Sequence, residues 1–130
     1  MKKELQDKLF TKYPKIFRQK DLSMKETCMC WGIDTGDGWY WLLDALCDQL
    51  QFDIDHNKYP QIEAVQVKEK YGTLCFYIHG GNDTQYGMVH FTEALSSRVC
   101  EVCGTVENVT LNDEGWLCTL CDTCRNKRNK

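Results

Sequence analysis

The apolar positions of this chain change period as the sequence advances, and each change marks an element. Leu5, Leu9 and Tyr13 recur every four residues between Lys2 and Tyr13. That is one face of a short helix, and Pro14 stops it. Residues 15 to 36 carry little periodicity and are expected to be irregular. Trp39, Leu42, Leu43, Leu46, Leu50 and Ile54 then form a stripe, with Asp44 and Asp48 on the other side. This predicts the longest helix of the chain, with Asp37 as its N-cap. Period two takes over at Ile62 to Lys70 and Thr73 to His79, two strands joined by a turn at Tyr71-Gly72. In the second strand Leu74, Phe76 and Ile78 face one way, and Cys75, Tyr77 and His79 the other. Gly80-Gly81-Asn82-Asp83 ends the hairpin. Thr84 to Ser97 follows as a helix whose Met88, Phe91 and Leu95, with Val99 beyond, are expected to pack on it. Val106 to Leu111 and Gly115 to Leu120 predict a second hairpin, turning through Asn112-Asp113-Glu114-Gly115.

The fold class expected is therefore α+β, with helices packed on a β-hairpin. At 130 residues and 42% apolar content, the chain can bury one modest core. Residues 1–99 read as an α+β body and 100–130 as a small appendage with a basic tail, the two forming one compact unit.

The cysteines give the appendage its chemistry. Five of the nine fall in the last 31 residues, as Cys100-x2-Cys103-Gly104 and Cys118-x2-Cys121-x2-Cys124. A Cys-x-x-Cys pair turns two thiolates toward one ion, and a glycine after it permits the tight turn that aims backbone amides at the sulfurs. Two pairs close a tetrahedral zinc site. Seventeen residues separate Cys103 from Cys121 and only fourteen separate it from Cys118. The first value lies in the usual range of roughly 15 to 20. The expected ligands of one structural Zn2+ are thus Cys100, Cys103, Cys121 and Cys124, with Cys118 left over. Knuckle, hairpin and a second pair opening a helical turn is the order of a treble-clef finger; a zinc ribbon would put the second pair on another knuckle. A disulfide framework fits poorly, because the cysteine count is odd and the start, Met1-Lys2-Lys3-Glu4, does not read as a secretory signal. The remaining Cys28, Cys30, Cys47 and Cys75 are expected as thiols. Cys28 and Cys30 with Cys118 are a weaker candidate for a second metal site.

Charge is segregated. Residues 1–20 hold seven Lys/Arg against two acids, residues 21–124 five against seventeen, and residues 125–130 four against none. An acidic body repels phosphate backbones and suits a basic protein partner. Nucleic acid would then be held weakly at most, through the basic tail. No apolar run approaches the roughly 18 residues of a membrane span, so a soluble cytoplasmic protein with no membrane partner is expected.

Catalytic patterns are thin. His79-Gly80-Gly81-Asn82 resembles a glycine-rich oxyanion loop, but no Gly-x-Ser-x-Gly elbow accompanies it. His90 and Glu93 lie one helical turn apart and read as a surface ion pair. Asp34 and Asp37 flank a glycine-containing loop, and His56 has no partner in sequence.

Gly36-Asp37-Gly38-Trp39, the run Val67-Lys68-Glu69-Lys70-Tyr71-Gly72-Thr73-Leu74-Cys75-Phe76-Tyr77, and Cys100-Glu101-Val102-Cys103-Gly104 followed by Gly115-Trp116 and Thr119-Leu120-Cys121 carry a resemblance. From about Tyr13 to Cys124 the chain resembles a group of small, functionally uncharacterised zinc-finger proteins of tailed bacteriophages and prophages. In that pattern the last ligand is often His, where this chain has Cys124, and an Arg often stands where it has Cys75. The resemblance implies a phage origin and a metal site, and no activity.

The reading favoured by the sequence is a phage-encoded, zinc-binding interaction protein. It would engage a host protein in the bacterial cytoplasm, as a counter-defence or host-takeover factor, and would more naturally be a binder than an enzyme. The alternative is a nucleotide-binding or nucleotide-sequestering module. There Gly80, Gly81 and Asn82 would receive phosphate at a helix N-terminus, and Trp39, Tyr71 or Tyr77 would stack the base. A nucleic-acid-binding finger is a third, weaker reading.

Overall fold

A computed structural model describes residues 1–112 and 115–128. Helix α1, Lys3–Lys12, is followed by two 3-10 turns and a two-residue strand, β1, Ile33–Asp34. A third 3-10 turn leads into α2, Tyr40–Asn57. Strands β2, Glu63–Lys70, and β3, Thr73–His79, precede α3, Asp83–Ser96. The chain ends in β4, Val109–Leu111, β5, Thr119–Cys121, and α4, Asp122–Arg128. The architecture is α+β, with a C-terminal finger.

The hairpin β2–β3 turns where the sequence places it. Tyr71 and Gly72 have φ of 53° and 85°, the left-handed pair that a two-residue turn between twisted strands requires. Leu74 and Phe76 are buried and Ile78 is partly buried, while Tyr77 and His79 face outward. Trp39, Leu43, Leu46 and Leu50 meet Leu74 and Phe76 in one core, as the stripe on α2 predicts. That core also takes in Leu9, Tyr13, Ile16, Phe17, Met29 and Ile33. The stretch expected to be irregular therefore contributes four core side chains and a strand, since β1 pairs parallel to β2 through Ile33 with Val67 and Asp34 with Lys68.

Both edges of this β1-β2-β3 sheet are engaged by helices. On β3, the amide of Leu74 donates to Ser96 Oγ and that of Phe76 to Glu93 Oε2, each at 2.9 Å, from α3. On β1, the amide of Ile33 donates to Gln6 Oε1 of α1 at 2.7 Å. The ammonium group of Met1 donates to the carbonyls of Ile33 and Thr35.

Two local expectations are corrected. Asp37 does not cap α2: no side chain does, and Asp37 Oδ1 instead accepts from the Lys2 amide at the start of α1, at 2.7 Å. Phe91 does not pack on the hairpin. It is 67% exposed, because the face of α3 turned to the core is Gln85, Val89, Thr92 and Ser96, with Met88 and Leu95 at its margin. The turn Asn112-Asp113-Glu114-Gly115 lies partly outside the described residues.

Candidate metal centre

The second small sheet pairs β4 with β5 antiparallel, Val109 opposite Cys121 and Leu111 opposite Thr119. Cys121 is the last residue of β5, and Cys124 lies on the first turn of α4. Facing them is the turn Cys100–Gly104, closed by the Gly104 amide donating to the Cys100 carbonyl at 2.9 Å. Knuckle, hairpin and helix thus follow one another in the order of a treble clef. The Sγ atoms of Cys100, Cys103, Cys121 and Cys124 all lie within 4.8 Å of one another, and those of Cys103 and Cys121 are 3.8 Å apart. Four thiols so placed could hold one metal ion as a complete tetrahedral set. All four expected ligands are brought together.

The electrostatics of the cluster differ from sulfur to sulfur. Burial opposes ionisation of Cys100, but the backbone amides of Cys103, Cys121 and Val102 outweigh it and bring its thiol down to about 7. Burial, together with neighbouring Cys121, Cys100 and Cys103, pushes Cys124 up to about 12. Sulfurs this close cannot all be anionic unless a positive ion lies among them.

Cys118 stands outside the cluster. It is buried, and Arg128 Nη1 donates to its sulfur at 2.7 Å. Cys28 and Cys30 are not joined to it in any shared site. Among the described residues, the four-cysteine group is the one set of three or more such ligands close enough to share an ion.

The finger is joined to the body along its knuckle, a contact the sequence reading missed. Gly38 donates to the Glu101 carbonyl at 2.7 Å, and Gly36 to Glu101 Oε2 at 2.8 Å. A Cβ on Gly38 would overlap the Cys100 carbonyl and the Gly104 amide. The indole of Trp39 donates to the Val99 carbonyl and that of Trp41 to the Gly104 carbonyl, both at 2.9 Å. At the other end of the finger, Thr119 Oγ1 donates to the Gly72 carbonyl at 2.6 Å. The words Gly36-Asp37-Gly38-Trp39 and Tyr71-Gly72-Thr73 are thus the two docking points of the metal module. The available signal was the pair of glycines around Asp37, which an N-cap alone does not require.

The residues proposed for a nucleotide do not converge. Trp39 is completely buried and cannot stack a base, which corrects that assignment. Asn82 caps α3: its side chain accepts from the Gln85 amide, while Gln85 Oε1 accepts from the Asn82 amide, both at 2.9 Å. Tyr71 lies at the hairpin tip and Gly80 and Gly81 beyond its other end, about 20 Å away along seven strand residues. Tyr77 lines a separate cleft of about 720 Å3 with Arg18, Cys28, Glu63 and His79. Tyr71 flanks another, of about 250 Å3, with Trp116 and Leu117. His90 lies against the Tyr86 ring and Glu93 accepts from the Phe76 amide of β3, so the surface ion pair expected of them does not form; His56 stacks on Phe52 at 5.3 Å. No described helix is long and apolar enough to cross a membrane. No family model, no curated protein and no solved structure matches the chain.

Proposed function

We propose that this is a phage-encoded zinc protein that binds and modulates a host protein in the bacterial cytoplasm, with the metal serving structure alone. Zinc is supported by the donor set and its size. Four sulfurs about 2.3 Å from a tetrahedral Zn2+ lie about 3.8 Å apart, the separation of Cys103 and Cys121. A closed tetrathiolate leaves no position for water or substrate, so the ion's role is to hold the knuckle, the β4–β5 hairpin and α4 together.

The observation that carries the binding role is the exposure of large apolar side chains at the finger end. Trp116 is 76% and Tyr71 71% exposed, and both line one cleft that the finger and the β2–β3 turn build together. Aromatic residues left in water beside a recess are the usual anchors of protein recognition. The acidic balance of residues 21–124 favours a basic partner surface.

The test is affinity capture from phage-infected cells with the wild-type protein and a Tyr71→Ser/Trp116→Ser variant. The expected result is one host protein retained by the wild type and lost by the variant, which keeps its metal. Capture of nothing specific, or release of a nucleotide from the purified protein on heating, would overturn the reading.

A further inference from the structure

The outer face of α3 is left exposed among the described residues. Thr84, Gly87, Phe91, Ala94 and Arg98 are all exposed and follow one another at spacings of three, four, three and four residues, the seam of a helix that packs on another helix. Partly buried Met88 and Leu95 border this seam. Three observations on it bear on a second copy. Phe91 stands in water at 67% exposure. Gly87 sits in mid-helix, where glycine is unfavourable, yet a Cβ added there would meet nothing within 4 Å. Asp83 and Arg98, at opposite ends of the face, have no ion-pair partner among the described residues.

One arrangement accounts for all three. We propose that α3 pairs antiparallel with α3 of a second copy about a two-fold axis beside Phe91. Residues equidistant from positions 90 and 91 then face one another: Gly87 opposite Ala94 of the second copy, and Asp83 opposite its Arg98. The two Phe91 rings meet at the axis. The missing side chain at Gly87 lets the helices approach closely there, and two inter-copy ion pairs close the ends. Asp83 at the start of α3 and Arg98, two residues past its end, make the face self-complementary only in the antiparallel sense. A contact built on one helix from each copy is at the low end of specific interfaces, so the dimer dissociates on dilution. The pairing leaves the Tyr71–Trp116 cleft out and is independent of the function proposed above.

Sedimentation equilibrium of the metal-loaded full chain over a concentration series tests this. The wild type is expected to pass from monomer to dimer, and Phe91→Glu to remain monomeric at every concentration while keeping its metal and helix content. Asp83→Arg and Arg98→Asp should each weaken association at least tenfold, and the double charge exchange should restore it. A wild-type protein that stays monomeric at millimolar concentration would overturn the proposal. So would a dimer that survives Phe91→Glu, or single charge variants that the exchange fails to rescue.

Discussion

At the scale of single residues, the metal site depends on which sulfurs the backbone turns inward. Cys121 ends β5 and Cys124 lies on the first turn of α4, so both reach the knuckle, whereas the thiol of Cys118 is directed to Arg128. Cys118→Ser should retain one metal per chain, and Cys121→Ser should lose it, as read by elemental analysis after mild chelation. Retention in the second variant and loss in the first would reassign the fourth ligand. A different residue sets the acid response of the body. Arg18 beside Glu63, aided by Gln19, holds the Glu63 carboxyl down to about 2. A carboxylate with a lowered pKa adds stability that is full above its ordinary value near 4.5 and disappears as pH falls toward 2. The stability difference between wild type and Glu63→Gln, both metal-loaded, should therefore shrink as pH is lowered from 6 to 3. A difference independent of pH would show that the Arg18 pairing does not contribute.

At the scale of elements, α2 and the β2–β3 hairpin were legible because each buries one regular face. Leu46 is 3% exposed between them, and Leu46→Ala should cost about 2–5 kcal/mol in chemical denaturation; an unmoved midpoint would take it out of the core. The cap of α3 was offered as a phosphate site only in the alternative reading, since a Gly-Gly-Asn turn before a helix serves either purpose; in the structure the Gln85 side chain returns to Asn82. Asn82→Ala should cost about 0.5–2 kcal/mol, and it should leave metal content unchanged. What escaped the sequence was structure made by pairing between distant segments. Strand β1 is two residues long and too short for any period, and it exists because β2 offers it a parallel ladder. A β-bulge between Ala64 and Gln66 breaks the alternation of β2 and lets Ala64 and Val67 both reach the core. Ile16, Phe17 and Met29 are buried from irregular backbone, where no periodicity can announce them.

At the scale of the whole molecule, the ligand spacing Cys100-x2-Cys103 and Cys121-x2-Cys124 was readable because metal geometry is local. The docking of the knuckle on Gly36, Gly38, Trp39 and Trp41 was not, because it joins residues sixty or more positions apart. Through this docking, a metal held by the four cysteines would support the body as well as the finger. Chelation should lower hydrogen-exchange protection at the amides of Gly36 and Gly38, far outside the cysteine segment. Protection lost only within residues 100–128 would show that finger and body are energetically separate. The closed edges of the sheet have a bearing on what else this protein can become. A strand whose outward amides are free is a template on which a stranger's backbone, or a second molecule of the same protein, can crystallise into a fibril. With Ser96 and Glu93 occupying two such amides on β3, and Gln6 one on β1, that growth is hindered at both edges of this sheet. Encounters with other chains are then decided by the identity of surface side chains, and high expression in a crowded cell need not end in insoluble aggregate.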